Sequence, residues 1–162
     1  MSARIARDEA TARVTAERGD ESCLVCAMRD GRLGTPYVLE RGRYCRVVLA
    51  RYAVRRGHAL VLVDEHVTSF TDVDDAAWAE ASRFALASAR RIERALSPAR
   101  CYVASLGSAG PAVPMSSPHL HLHVIPIYEP DDKPSRVLTW ENGVFVPSDA
   151  DLVTLARELA PR

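Results

Sequence analysis

The chain has 162 residues, 48% of them hydrophobic and 26% charged, and a formal net charge of zero. That length accommodates one domain with a substantial core, and the balanced charge gives no global field to recruit nucleic acid or an acidic membrane. No apolar run is long enough to span a bilayer. The N-terminus carries Arg4, Arg7, Asp8, Glu9 and Glu17 without an apolar centre, so neither a signal nor a transit peptide is expected. The expectation is a cytoplasmic protein whose four cysteines are ligands or buried thiols rather than a disulfide framework.

Residues 2–19, rich in Ala and Arg and free of proline, predict a helix with a thin apolar stripe (Ile5, Val14). Cys23-Leu24-Val25-Cys26 follows in a loop or a helical turn ending near Gly31. Tyr37 to Leu39, Tyr44 to Ala50 and His58 to Val63 are rich in Val and Leu and read as strands at hairpin-like spacing. Asp72 to Asp75 offer N-caps for the longest helix, about Ala76 to Leu96, which Ser97-Pro98 ends. Cys101 to Leu106 reads as a strand, and a Gly/Pro/Ser loop leads into a last core strand around His119 to Ile125. Beyond Pro130, Asp131 to Pro134 reads as a mobile polar lead. Glu141-Asn142-Gly143 then suggests a hairpin between Val137–Trp140 and Val144–Val146. Ser148 and Asp151 resemble a capping box for a helix over Leu152 to Leu159. Strands, helix, strands in this order indicate an α+β domain on a mostly antiparallel sheet.

His119, His121 and His123 alternate along the last core strand, so their side chains are expected on one face, with Leu120, Leu122 and Val124 on the other. Three imidazoles there are either hydrogen-bonded polar residues on a half-exposed strand or a metal or catalytic face. Cys23 and Cys26 can supply two ligands of a tetrahedral site, and His66 and His119 the other two. Four protein ligands would leave no open position, so a zinc ion held there would be structural. A redox pair or two buried thiols are the other readings of Cys23 and Cys26, although no βαβ unit accompanies them. Cys45 and Cys101 fall in apolar strands and read as core thiols. With His119 on the metal, His121 is free to attack phosphorus as a neutral imidazole. His123 can bond a phosphoryl oxygen or the leaving group, and Ser116 and Ser117 can donate to developing charge.

These residues resemble the histidine triad (HIT) superfamily, whose signature His-φ-His-φ-His-φ-φ, with φ apolar, is matched by His119 through Ile125. Gly57-His58-Ala59-Leu60-Val61, His66, Cys23/Cys26 and Val103 to Gly107 fall in the family's order, giving 21–130 as the domain, 1–20 as an N-terminal helical extension and 131–162 as a C-terminal hairpin and helix. The resemblance implies a HIT-like antiparallel sheet with one long and one shorter C-terminal helix, and a homodimer formed through the long helix and a strand. It implies His121 as the nucleophile, His123 assisting at the phosphate, His58 supporting beside the pocket, and structural zinc on Cys23, Cys26, His66 and His119. Its activity would be hydrolysis or transfer at the α-phosphorus of a nucleotide conjugate, through a nucleotidyl-histidine. Three positions depart from the family pattern: Ala50 where Asp or Asn binds ribose, Ser105 where Asn is usual, and Pro114-Met115-Ser116 for Gly-Gln-Ser. Ser105 remains a candidate substrate contact, and Arg51, Arg55 and Arg56 are either partners for an acceptor phosphate or solvated loop charges. The departures leave a second reading, a non-catalytic nucleotide- or partner-binding module. A third reading, all three triad histidines on one catalytic metal, is disfavoured because Cys23 and Cys26 make a better home for it.

Overall fold

The structure, a computed structural model, describes residues 3–33, 37–107 and 117–161. Strand β1 (Ala3–Ile5) leads into helix α1 (Arg7–Arg18), and α2 (Leu24–Arg29) follows. Strands β2 (Val38–Arg41), β3 (Cys45–Leu49) and β4 (Ala59–Val63) precede the long helix α3 (Asp75–Leu96). Strands β5 (Arg100–Ala104) and β6 (His121–Ile127) complete the core, and the tail carries α4 (Pro134–Leu138), β7 (Val144–Val146) and α5 (Asp149–Glu158). As expected for an α+β chain, β2 to β6 form one antiparallel sheet, in the order β2-β3-β4-β6-β5.

Helix α3 starts where Asp74 accepts the backbone N–H groups of Ala76 and Ala77, and ends at Ser97, which adopts a left-handed conformation before Pro98. Its small buried residues Ala77, Ala81 and Ala85 bring it close to one face of the sheet, where Phe84 and Ile92 pack with Val47, Val61, Leu122 and Val124. Glu80 of the same helix points at the β2–β3 turn, and its carboxylate accepts the backbone N–H groups of Arg43, Tyr44 and Cys45. A buried carboxylate with three donors is well solvated by the protein itself. On the opposite face α2 lays Cys23 and Val25 over Val48 and Leu62. That second face also carries His121 and His123, opposite Leu62 and Leu60.

The two ends of the chain meet. β1 pairs antiparallel with β7, Ala3 opposite Val146 and Ile5 opposite Val144. Phe145 exchanges both backbone hydrogen bonds with Ala53, in the loop between β3 and β4. Ile5, Val54, Ile125, Val137, Val144 and Trp140 pack together beneath. Two expectations are corrected by this arrangement. Residues 2–19 are not one helix, because the first residues are drawn into the pairing with β7. Val137–Trp140 is not the hairpin partner of β7: Pro134 opens α4 there, its fixed φ suiting the first helical turn. Asp131 to Pro134, read as a mobile lead, is anchored at Asp132, whose carboxylate pairs with Arg55 at 2.6 Å and whose carbonyl accepts from the Tyr102 hydroxyl. His119 also departs from expectation: it lies just ahead of β6 rather than in it. Pro118 precedes it, and the Leu120 N–H goes to the Val67 carbonyl instead of the sheet ladder.

Gly143 turns the chain into β7 at φ 72°, and a Cβ there would strike the Ile5 carbonyl. Gly143→Ala is expected to destabilise by about 1–3 kcal/mol in urea titrations. In a Trp78→Phe background it should red-shift Trp140 emission as the tail loosens.

Candidate active site and metal centre

The face of the sheet opposite α3 carries a continuous line of imidazoles. His121 and His123, two residues apart on β6, face the same side, opposite Leu62 and Leu60 of β4. His58 comes in from the residue before β4. The contacts are Val54 N to His58 Nδ1 at 3.4 Å, His58 Nε2 to His123 Nδ1 at 3.0 Å, His123 Nε2 to His121 Nε2 at 3.0 Å, and His121 Nδ1 to the His119 carbonyl at 2.6 Å. The ends of this line fix every proton in it. A carbonyl only accepts, so His121 carries its proton on Nδ1 and presents a bare Nε2. The Val54 N–H only donates, so His58 Nδ1 is bare and its Nε2–H points at His123. His123 therefore accepts at Nδ1 and donates from Nε2 to His121. One tautomer per ring satisfies all four contacts.

Burial keeps the rings neutral. It pushes His58 down to about 3, with His121 adding to the effect, and His123 down to about 2, with His58 and His121 adding to it. His121 is also lowered by burial, against the opposing pull of the His119 carbonyl.

His119 is fully buried, in a cluster with Cys23, Cys26 and His66 whose ligand atoms all lie within 4.8 Å of one another. Cys23 Sγ and Cys26 Sγ stand 3.4 and 3.5 Å from His119 Nδ1, and Cys26 Sγ stands 3.3 Å from His66 Nδ1. Sulfur and nitrogen ligands at tetrahedral angles on one zinc-sized ion would be separated by about 3.5 Å. His119 Nε2 donates to the Val63 carbonyl at 2.7 Å, leaving Nδ1 bare toward the cluster, the orientation a ligating histidine takes from its outer partner. These four residues could hold a metal ion, and they are the four that the spacing had brought together. Cys45 and Cys101 stay apart from them, and burial raises their thiols to about 12 and about 11.

Beside the imidazole line lies a cavity of about 120 Å³. His58, His121, His123 and Ser117 form one end of it, and Leu24, Val25 and Met28 of α2 with Leu60 and Leu62 of β4 form an apolar wall. Ser117 is buried, and its hydroxyl has no partner among the described residues. Ser105 follows β5 and is not among the described residues that line the cavity, and Ser116 lies outside the described residues. Ala50 lines the cavity without a polar group. Arg55 is committed to Asp132, and Arg56 pairs with Glu158 at 2.7 Å. Val14 and Glu17 of α1, Tyr52 and Trp140 also line the cavity. No local pattern in the sequence marks the first three of these. Trp140 belongs to the pocket of its own chain.

The HIT-domain family model matches residues 37–130, more than half of the chain. The chain belongs to the HIT family. An uncharacterized HIT-like protein of Mycoplasma genitalium is 28% identical over 109 residues, 67% of this chain and 74% of that protein. A hypothetical histidine triad nucleotide-binding protein from Sulfolobus tokodaii shares the fold with a TM-score of 0.65 at 21% identity, over 85% of this chain and 89% of its own. A Zn-bound histidine triad family protein from Mycobacterium smegmatis does so with a TM-score of 0.61 at 23% identity, over 87% and 95%. α1, β1 and the tail elements of this chain lie outside the segment that the HIT family model matches.

Neutral His58 and His123 make stability depend on pH with a definite sign. Their ordinary value is 6.5 and their folded values are far lower, so only the unfolded chain takes up protons as pH drops below about 6.5. Stability is therefore full above that pH and is lost progressively between about 6.5 and 3. Urea titrations at pH 7.5 and 5.0 should show the loss, and His58→Gln should reduce it.

Proposed function

We propose that this HIT protein cleaves a nucleotide conjugate, such as a nucleoside phosphoramidate or dinucleoside polyphosphate, at its α-phosphorus, with His121 as the nucleophile. The observation that carries this reading is the bare Nε2 of His121, fixed by the His119 carbonyl at one end of an apolar cavity. The Nε2 lone pair forms a bond to phosphorus as the bond to the leaving group breaks, and the leaving group departs with the electron pair and takes a proton from solvent water. In the resting site the His123 Nε2–H caps that lone pair. A bound phosphoryl oxygen would take over this hydrogen bond, which releases the nucleophile and offsets charge where it grows. The unpartnered Ser117 hydroxyl is a second donor at the same end. Water, or another acceptor, then attacks phosphorus and His121 leaves with its electron pair. His58 does not reach the phosphorus in this reading. It positions His123 through Nε2.

Zinc on Cys23, Cys26, His66 and His119 has a structural role in the same reading, supported by the donor set and by the zinc-bound relative of the same fold. The ion would hold α2, and with it the apolar wall of the cavity, to the loops carrying His66 and His119. A homodimer is supported by exposed Trp78 and Leu86 on α3 and Val103 on the edge strand β5. No helix among the described residues is long and apolar enough to cross a membrane, in keeping with a cytoplasmic site of action.

A second reading, a binding module without turnover, is favoured by Ala50, which gives a ligand no polar contact. Incubation with nucleoside phosphoramidates and dinucleoside polyphosphates separates the two. Turnover that falls by at least about 10³-fold in His121→Ala, at unchanged zinc content, is the expected result. Nucleotide binding with no turnover by the wild type would favour the module. Cys23→Ser/Cys26→Ser is expected to lose the metal, about one zinc per chain, and to melt at lower temperature.

A further inference from the structure

The cavity has a second polar pole, and it is built by a helix that the family match does not include. On the cavity lining, Glu17 of α1 accepts the Tyr52 hydroxyl at 2.8 Å and Arg51 Nη2 at 3.3 Å, both on Oε1. Tyr52 in turn stacks on Trp140 of the tail, ring centroids 6.1 Å apart. Glu17 is the one carboxylate among the described residues lining the cavity, and no described residue bonds its Oε2. The Arg51 guanidinium also donates to the Leu33 carbonyl at 3.2 Å, which holds it beside the carboxylate. Burial, and then Glu17, raise the Tyr52 phenol to about 12, so the ring remains a donor with no second charge.

Two aspects of this pole specify its ligand. A carboxylate half-neutralised by Arg51 gains less from a cation than a lone carboxylate would, and its vacant oxygen is an acceptor suited to neutral O–H donors. Glu17 is half-buried beside the apolar lining, so a sugar hydroxyl that meets its vacant oxygen gains a charge-assisted hydrogen bond that an analogue without that hydroxyl lacks. We propose that Glu17 is a specificity-determining residue that receives the vicinal hydroxyls of the ligand's sugar while the phosphoryl group lies at His121, with Arg51 and Tyr52 as its positioning residues. This rests on the nucleotide reading of the site and adds the selection of ribose over deoxyribose. It also gives α1 and the tail a function: they complete the sugar end of the pocket.

The probes are the four common ribonucleoside 5′-monophosphates and their 2′-deoxy counterparts, titrated calorimetrically into the full zinc-loaded chain. The wild type should bind the ribo form of the preferred base at least about tenfold more tightly, and Glu17→Gln should bring the two forms to within about twofold, chiefly by weakening the ribo form. Glu9→Gln, an exposed change on the same helix that removes its ion pair with Arg13, should leave the wild-type ratio intact. A Glu17→Gln protein that keeps the wild-type ribo preference, or a wild type indifferent to the 2′-hydroxyl, overturns the assignment and leaves the nucleotide reading standing. A wild type that binds none of the eight overturns the nucleotide reading and this inference with it. Melting temperature and zinc content of both variants, expected to match the wild type, separate a lost contact from a lost fold.

Discussion

The hydrogen bond from His121 Nδ1 to the His119 carbonyl organises the line of imidazoles. Free imidazole exchanges its proton between two nitrogens and titrates near neutrality. Here a carbonyl that can only accept decides where the proton sits, and burial removes the charge. The choice then passes through His123 and His58 to the Val54 N–H, each ring donating from one nitrogen and accepting at the other. His119 belongs to two sites at once. Its backbone orients His121, and its ring sits among Cys23, Cys26 and His66. Anything that fixes the His119 ring also fixes the peptide that orients His121, so a metal ion in this cluster would bear on His121 without touching it.

The rest of the fold shapes this face. Helix α3 covers the opposite face of the sheet with alanines and Phe84, and its Glu80 ties down the β2–β3 turn. Helix α2 covers the imidazole face, held by Val25 against Val48 and Leu62. The two chain ends join through β1 and β7, and Phe145 locks them to the loop between β3 and β4 that also carries Tyr52. This small sheet places α1 and Trp140 at the cavity, and both lie outside the segment that the HIT family model matches.

Much of this was legible in the sequence, because the signals were local or carried by a single spacing. Two-residue alternation put His121 and His123 on one face, Asp74 with Pro98 bracketed α3, Ser148 with Asp151 capped α5, and the Cys-x-x-Cys pair with two histidines gave the ligand cluster. His119 was misplaced onto the strand because alternation says nothing about Pro118 or about the Val67 carbonyl that takes the next N–H. The pairing of Ile5 with Val144 and the meeting of Glu17 with Tyr52 join residues far apart in the chain, with no periodicity to betray them. The half-buried pair of Arg55 and Asp132 was unreadable for the same reason. Each residue alone looks like a solvated loop charge, and only the fold brings the two together and partly covers them.

The tautomers of the imidazole line are open to direct observation by long-range 1H–15N correlation spectra of the 15N-histidine-labelled, zinc-loaded protein at pH 7. The expected spectrum shows His121 protonated on Nδ1 and both His58 and His123 protonated on Nε2, all three neutral. A His121 protonated on Nε2, or present as the imidazolium, would have no Nε2 lone pair to offer phosphorus and would contradict its assignment as the nucleophile.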